Sequence, residues 1–214
     1  MIVRTRAFSA QDKEERRNEI LDAAQRLFHD NPEGFGSMDA LAEAAGVGKG
    51  TLYLYFRSKE EVLVALHERN AGQFFQTLLE RVESDPAFDL DTMITLVTER
   101  LLASPVFARV GSMVCGNLEA MPEDAVRTFK GTLAQGHELL GPKLDRALGL
   151  ADGESARLLQ YSYALLLGLW HITCSHTATA DLGGEGVLLS DYKSEVSRAL
   201  RLLWVGAIHV APRA

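Results

Sequence analysis

The residues whose types and spacing are best suited to chemistry lie between Gly48 and Phe56, where a cation, hydroxyl groups, aromatic rings and glycine follow one another. If this stretch is a helix, Leu52 and Phe56 lie one turn apart and face the interior. The other face then presents the following positions: Lys49, Gly50, Thr51, Tyr53 and Tyr55. Such a face is suited to the groove of a DNA duplex, because it can approach closely and form hydrogen bonds with bases and phosphates.

Signals for helix ends on either side place this stretch in a helix-turn-helix. Ser37 can cap a first helix with its hydroxyl oxygen, and Gly46 allows the left-handed backbone that ends that helix. The turn to the second helix is then about three to four residues long. Ser58 and Glu61 have the spacing of a capping box, which starts a third helix with unpaired amides near Lys59 and suits a phosphate oxygen. The alternative is a helical hairpin whose polar face is only solvated.

The run from Gly46 to Glu60 reads Gly-Val-Gly-Lys-Gly-Thr-Leu-Tyr-Leu-Tyr-Phe-Arg-Ser-Lys-Glu. It resembles the DNA-binding signature of the TetR (tetracycline repressor) family of bacterial transcription regulators, and the resemblance extends over about residues 13–66. It implies that the major groove is read or approached by Lys49, Gly50, Thr51 and Tyr53, and that phosphates are held by Ser37, Tyr55 and Lys59. The sequence departs from the usual signature at Gly48, where Ser or Thr is usual, and at Ser37-Met38, which replace Thr-Thr.

The composition is typical of a soluble globular protein, since 47% of the 214 residues are hydrophobic and 24% are charged. No apolar run approaches the roughly 18 residues of a membrane span, and the first residues do not form a secretory signal, so we expect a cytoplasmic protein. The net charge is −7, although residues 1–60 carry nine Lys and Arg against ten Asp and Glu. A near-neutral N-terminal part can bind DNA on one face while the acidic remainder repels DNA elsewhere.

Beyond the helix-turn-helix the pattern is helical throughout, which predicts an all-α fold with two domains. An N-terminal helix-turn-helix DNA-binding domain of three helices is expected over residues 1–58, and an all-helical effector-binding and dimerisation domain over residues 59–214. A helix that runs from Lys59 to Asp85-Pro86 is long enough to join them. Further helices are expected over residues 90–103, 105–120, 122–148, 153–177 and 188–210. Arg4 and Arg6 either reach into a minor groove or are incidental to function.

Two late segments are candidates for contact between subunits. Residues 158–174 are apolar almost all round, so a helix there must be covered on more than one side. Its small edge consists of Ala164, Gly168 and His171, and the last helix carries a stripe that consists of Tyr192, Val196, Leu200, Leu203 and Trp204. In the resembled family the last two helices of each subunit form a four-helix dimer interface. The resemblance therefore implies a homodimer through these residues, and an intramolecular contact is the alternative.

The resemblance also implies a small-molecule effector that binds inside the helical body and controls DNA binding. The candidate lining combines apolar and aromatic side chains with a few polar ones: Phe107, Met113, Asn117, Phe129, Leu133, His137, Leu166 and Trp170. Such a lining suits a largely apolar or amphipathic ligand. The alternative for each of these residues is an ordinary place in the core.

Other chemistry finds little support in the sequence. On a helix His171 and Cys174 lie about 60° apart but His171 and His176 lie about 140° apart, so the three do not converge on a metal. No nucleotide-binding, hydrolase or zinc-protease motif occurs, and Cys115 and Cys174 lack the spacing of a redox pair. We therefore expect no cofactor and no catalysis.

The sequence thus predicts a cytoplasmic, homodimeric regulator of transcription. We expect a repressor that leaves a palindromic operator when a small molecule binds. The alternatives are a helix-turn-helix protein that acts through protein contacts alone and a helical enzyme with a DNA-like module. A comparison of operator and nonspecific DNA in one salt titration separates the first reading from both alternatives.

Overall fold

The structure is a computed structural model, and it describes residues 10–31, 34–100, 106–174 and 191–210. Within these residues it contains nine α-helices, which confirms the predicted all-α class. They are α1 (Ala10–Asp30), α2 (Met38–Ala44), α3 (Lys49–Tyr55), α4 (Lys59–Ser84), α5 (Leu90–Arg100), α6 (Val106–Cys115), α7 (Glu123–Leu148), α8 (Glu154–Cys174) and α9 (Tyr192–Val210). The predicted basic arm at Arg4 and Arg6 and the predicted start of the last helix at residue 188 lie outside the described residues.

One helix ends earlier than predicted. The sequence pattern predicts a helix over residues 105–120, whereas α6 ends at Cys115 and a short 3₁₀ turn follows at Leu118–Ala120. Gly116 comes directly after α6, and glycine lowers the stability of a helix because it loses more backbone entropy than other residues. The turn brings the chain to Pro122, which precedes α7.

Helices α1, α2 and α3 form the predicted helix-turn-helix around a small core. The Ser37 hydroxyl oxygen accepts a hydrogen bond from the amide of Ala40 at 3.2 Å, so the predicted cap of α2 is present. Gly46 has a φ of 65°, the left-handed conformation that glycine adopts without steric cost. Leu52 and Phe56 are buried against this core and hold α3 on it.

Helix α4 is shared by the helix-turn-helix and the rest of the protein. Ser58 caps its start by accepting from the amide of Glu61 at 3.2 Å, and the Glu61 carboxylate accepts from the amide of Arg57 at 2.6 Å. Six consecutive residues, Val62–His67, are buried. Since successive residues point all round a helix, this part of α4 is enclosed on every side. The expected domain boundary between residues 58 and 59 falls at the start of this helix and stays a prediction.

Helices α5, α6 and α7 pack against α4. Helix α7 lies along α4, α8 contacts α6, α7 and α9, and α5 contacts α9. The turn between α7 and α8 is organised by the buried carboxylate of Asp145, which accepts from the amides of Gly153 and Ser155, both at 2.7 Å. None of the described helices is long and apolar enough to cross a membrane.

The close approach of α4 and α7 depends on Gly136. A Cβ atom at this position would lie 2.6 Å from Cγ of Phe75, so Gly136→Ala must displace the ring at its base. We expect this substitution to lower the free energy of unfolding by about 1–3 kcal/mol. The matched control is Gly131→Ala on the same helix, where no atom lies within 4 Å of the added Cβ. It should instead raise that free energy by about 0.5–1 kcal/mol, because alanine restricts the unfolded chain.

Urea unfolding at one protein concentration measures both variants. Equal concentration is needed because association with a second chain would make the transition depend on it. The close packing of α4 on α7 would be contradicted if Gly136→Ala were as stable as Gly131→Ala.

Candidate functional site

The residues predicted to read DNA lie on the solvent side of α3. Leu52 is 0% exposed and Phe56 is 1% exposed, so the opposite side of the helix faces outward. The four predicted groove residues are all exposed: Lys49, Gly50, Thr51 and Tyr53. A Cβ atom at Gly50 would meet nothing within 4 Å, so the surface is open at that position. A seven-residue helix is too short to be stable alone, and its orientation therefore depends on the two buried anchors.

Lys49 is engaged in an ion pair with Asp39 of α2. Its ammonium lies 2.7 Å and 2.8 Å from the two carboxylate oxygens, and both side chains are mostly exposed. The hydrogen bond from Lys49 to Asp39, followed by their charge attraction, raises the pKa of Lys49. Lys49 is thus a cation, and any DNA group that binds it competes with Asp39.

The three residues predicted to hold phosphates have different surroundings. Ser37 uses its hydroxyl oxygen to cap α2. Lys59 is partly buried; its ammonium donates to the carbonyl of Gly36 at 2.9 Å and lies 5.1 Å from the ring centroid of Phe35. Tyr55 is partly buried beside α1. Ser37 and Lys59 thus already form hydrogen bonds within the protein, and Lys59 keeps two N–H groups beyond the bond to Gly36.

A groove between α1 and α3 contains cations that the sequence analysis did not single out. Its walls carry Lys13, Arg16 and Arg17 from α1 and Thr51, Leu54 and Tyr55 from α3. On a helix Lys13, Arg16 and Arg17 share one face, because residues three and four apart are neighbours. That spacing is a signal from which the cationic side of α1 could have been predicted.

A cavity of about 140 Å³ lies in the helical body between α4, α5, α6, α7, α8 and α9. Most of its wall is aliphatic or aromatic. The lining residues are Ala71, Phe74, Phe75, Leu78, Met93, Val97, Phe107, Leu133, His137, Leu159, Gln160, Ser162, Tyr163, Leu166, Leu200 and Trp204. Among these described residues there is no Lys, Arg, Asp or Glu, so a charged ligand group finds no opposite charge in the wall.

Polar groups in the wall are already bonded to other protein atoms. The indole N–H of Trp204 donates to the hydroxyl of Ser162 at 2.9 Å, and that hydroxyl donates to the carbonyl of Leu158 at 2.7 Å. The Tyr163 hydroxyl is hydrogen-bonded to Nε2 of His67 at 2.6 Å and lies 3.2 Å from Sγ of Cys115. The more exposed polar side chains of the wall are those of His137 and Gln160.

His67 connects the cavity wall to α4. Its ring is fully buried between the rings of Phe107 at 4.8 Å and Phe129 at 5.1 Å. Burial lowers the pKa of His67 to about 3, because the apolar surroundings disfavour the charged imidazolium. The imidazole is therefore neutral near pH 7, and its bond to Tyr163 joins α4 to α8 without a buried charge.

Half of the predicted effector residues line this cavity and half do not. Phe107, Leu133, His137 and Leu166 are in the wall. Asn117 is exposed beyond the end of α6, and Phe129 is buried against His67. Met113 packs on the same cluster as Phe129, and Trp170 packs edge-on against Tyr192 at 5.2 Å. These last four residues do not line this cavity, because Asn117 is exposed and the other three side chains pack elsewhere.

The stripe predicted for the dimer interface is also corrected in part. Val196, Leu200 and Trp204 are at most 1% exposed within a single chain, and Leu200 and Trp204 line the cavity. Leu203 is partly buried in the core cluster that contains Trp204. Tyr192 is partly buried, and its hydroxyl donates to the carbonyl of Leu166 at 3.0 Å. This stripe holds α9 on its own chain.

The small edge on α8 does face outward. Ala164, Gly168 and His171 are exposed, although Nε2 of His171 is hydrogen-bonded to the hydroxyl of Ser112 at 2.6 Å. Large hydrophobic side chains are exposed near this edge and on α9: Tyr161, Ile172 and Leu202. Apolar residues are therefore exposed on both α8 and α9 of the isolated chain.

Two arginines join the helix-turn-helix to the body. Arg109 of α6 donates to the carbonyls of Phe28 and Asn31 at the end of α1, at 3.1 Å and 3.2 Å. Arg57, just before α4, donates to Asp124 at the start of α7 at 2.6 Å. This hydrogen bond lowers the pKa of Asp124. These hydrogen bonds link α6 and α7 directly to the elements that carry the α3 surface.

The described part of the chain contains no cluster of side chains that could bind a metal ion. No group of three or more His, Cys, Asp or Glu residues there is arranged to hold a metal ion. His176, which the sequence analysis considered with His171 and Cys174, lies outside the described residues.

Sequence models of two known families match this chain. The model of the bacterial regulatory proteins of the tetR family matches residues 20–66, which include α2, α3 and the start of α4. The model of the tetracyclin repressor-like C-terminal domain matches residues 68–209. The two matches follow one another along the chain and meet within α4.

Relatives with similar sequences match a third to a half of the chain. The fatty acid metabolism regulator protein of Bacillus subtilis is 39% identical over 67 residues, which are 31% of this chain and 32% of that protein. The HTH-type transcriptional regulator EthR of Mycolicibacterium smegmatis is 32% identical over 113 residues, which are 51% of each. The chain thus spans a third to a half of the length of these curated relatives.

A solved structure shows the same fold over most of both chains. The transcriptional regulator FadR from Bacillus subtilis, in complex with stearoyl-CoA, is 20% identical, with a TM-score of 0.55 over 88% of this chain and 98% of that chain. The second family match alone covers well over half of the 214 residues. The chain therefore belongs to the tetR family of bacterial regulatory proteins.

Proposed function

We propose that this protein is a cytoplasmic, homodimeric repressor that binds a palindromic DNA operator through α3 and leaves it when an uncharged, largely apolar small molecule fills the cavity. The observation that carries the proposal is the α3 surface. Its hydrogen-bonding side chains are exposed, while Leu52 and Phe56 anchor the helix on a core. An α-helix of this kind fits the major groove, where each base pair presents a distinct pattern of donors and acceptors.

On the DNA side, we assign base contacts to the exposed residues of α3 and phosphate contacts to its margins. Lys49, Gly50, Thr51 and Tyr53 are the proposed groove residues, and Ser37, Tyr55 and Lys59 the proposed phosphate ligands. The partly buried ammonium of Lys59 is held beside the start of α4 by Gly36. Helix starts attract anions, because their amides are unpaired and the helix dipole is positive there.

We further propose that two chains associate through the exposed faces of α8 and α9. Support comes from the small residues Ala164 and Gly168 and from the exposed hydrophobic side chains of Tyr161, Ile172 and Leu202. Small residues let helices approach closely, and exposed apolar surface is stabilised when a second chain covers it. A two-fold symmetric dimer places two α3 helices on half-sites about 34–36 Å apart or a multiple of that distance.

The chemistry of the cavity supports an uncharged ligand. Its described wall has no charged side chain, and Trp204, Ser162 and Tyr163 bond to other protein atoms. A buried charge without a partner is strongly unfavourable. The volume of about 140 Å³ resembles that of an engineered apolar cavity of about 150 Å³ that binds benzene. A ligand of that size fits directly, and a longer apolar chain, such as the acyl chain of the stearoyl-CoA in the FadR structure, requires side chains of the wall to move.

The ligand releases the protein from DNA if it binds more tightly to an arrangement of α4 that does not fit DNA than to the arrangement that does. Phe74, Phe75 and Leu78 place α4 directly in the cavity wall, and His67 is bonded to Tyr163 of the wall. The start of the same helix carries Lys59. A ligand shifts the equilibrium only by its difference in affinity for the two arrangements, typically about 1–3 kcal/mol between coupled sites.

Selection from a pool of random DNA duplexes tests this function. We expect the protein to enrich one sequence with two-fold symmetry and to bind it much more tightly than unselected DNA at the same salt concentration. An enriched sequence without symmetry would contradict binding as a symmetric dimer. No enrichment at all would contradict the proposed function.

Asp39→Asn should increase the affinity for DNA. The substitution removes the carboxylate that competes with DNA for Lys49, and it removes a negative charge beside the phosphates. Because an exposed ion pair is weak, we expect an increase of at most about fivefold per half-site. The matched control is Asp30→Asn, which changes the net charge equally at the far end of α1. Fluorescence anisotropy with labelled operator checks both; equal affinity of the two variants would exclude the competition.

Trp204 should report ligand binding, since it lines the cavity and Trp170 does not. The chain has two tryptophans, so Trp170→Phe and Trp204→Phe each leave a single one. We expect benzyl alcohol to change the emission of Trp170→Phe but not that of Trp204→Phe. Benzoate, which is similar in size but charged, should have little effect on either variant. A response to benzyl alcohol in Trp204→Phe alone, or equal binding of benzoate, would place the ligand elsewhere.

A further inference from the structure

The most exposed large hydrophobic side chain in the described part of the chain is Leu54 of α3, with 85% of its surface accessible. At 100° per residue, Leu54 and Gly50 lie on the side of the helix opposite the buried Leu52. A Cβ atom at Gly50 would have no neighbour within 4 Å. The outermost ridge of α3 is therefore the isobutyl group of Leu54 beside the bare backbone of Gly50.

This ridge cannot form the hydrogen bonds that usually distinguish bases. Leucine has no donor or acceptor in its side chain, and glycine has no side chain. The polar groups of α3 are displaced to the two flanks, with Tyr53 on one side and Thr51 on the other, each about 80° from the ridge. The part of α3 that enters a groove deepest is thus suited to an apolar group on the partner.

The charges around Leu54 indicate the chemistry of the surface that it contacts. Leu54 borders the groove whose α1 side carries three cations, Lys13, Arg16 and Arg17, against one carboxylate, that of Glu14, and Lys49 lies at the start of the same helix. An apolar tip between cations complements a surface that has an apolar group between two rows of negative charge. The major groove of DNA is such a surface, since phosphates line both edges and the 5-methyl group of thymine is its apolar feature.

We propose that Leu54 packs against the 5-methyl group of a thymine in each half-site and thereby determines part of the operator sequence. The inference rests on the proposed DNA-binding function and adds one specific contact to it. Because the contact is made with a methyl group and not with a hydrogen-bonding edge, the protein discriminates thymine from uracil at that position. For the same reason 5-methylcytosine is bound more tightly there than cytosine.

Replacement of single thymines by deoxyuridine in the selected operator tests the contact, because it removes the methyl group and leaves base pairing unchanged. Each thymine is replaced in both half-sites, and the dissociation constant is measured by fluorescence anisotropy. We expect one replacement to weaken binding about fourfold per half-site, the factor for burying one methyl-sized group, and about 16-fold for the two half-sites together.

Leu54→Ala identifies the residue that makes the contact. This variant should bind the thymine and deoxyuridine operators equally, and selection with it should lose the preference for thymine at that one position. At the same position, 5-methylcytosine should strengthen binding relative to cytosine for the wild-type protein only. Leu139→Ala is the matched control, because it removes an equally large exposed side chain from α7 and should retain the wild-type response.

The proposal is overturned if no deoxyuridine replacement weakens binding of the wild-type protein. It is equally overturned if the replacement weakens binding of Leu54→Ala as much as it weakens binding of the wild-type protein. Either result leaves the proposed function intact, since the wild-type protein still binds its operator. It is also overturned if Leu54→Ala changes the sedimentation coefficient of the free protein, since a second copy of the chain would then cover this residue. A wild-type protein that selects no operator overturns the function and the contact together.

Discussion

The structure depends on the complete burial of six consecutive residues near the start of α4. The run Val62–His67 is enclosed on all sides, so one helix belongs to the core of the helix-turn-helix and to the core of the body at once. A fully enclosed segment cannot rotate or slide without disturbing the side chains on every side, because protein interiors are close-packed. The buried part of α4 thus shares one apolar cluster with Leu52 and Phe56, and the cavity residues Leu133 and Tyr163 pack against this cluster.

Polar contacts between the helices restrict how the helix-turn-helix is oriented on the body. His67 is bonded to Tyr163 of the cavity wall, and Arg57 and Arg109 attach α7 and α6 to the helix-turn-helix. The ion pair of Arg57 is exposed and contributes little to stability. The hydrogen bonds of Arg57 instead restrict the orientation of α4 relative to α7, because they require the starts of these two helices to lie close together. The apolar core thus holds the two parts together, while the polar contacts define how they are turned relative to each other.

The helix-turn-helix could be predicted almost completely from the sequence, because its signals are local. The Ser37 cap, the glycine at Gly46 and the one-turn spacing of Leu52 and Phe56 each act within a few residues. The cavity and the outer surfaces could not be predicted as well. Helical periodicity identifies a buried stripe such as Val196, Leu200 and Trp204, but the period is the same whether the cover is the chain itself or a second subunit.

Arg109 has a consequence for how such proteins diversify. Its guanidinium binds the main-chain carbonyls of Phe28 and Asn31, and every amino acid supplies a carbonyl of that kind. Side chains on α1 and on the helices that follow it can therefore change without breaking this attachment. A lineage can acquire new DNA targets by mutation in the first sixty residues while it inherits the junction unchanged. Divergence of target recognition and divergence of ligand response are in this respect separable evolutionary events.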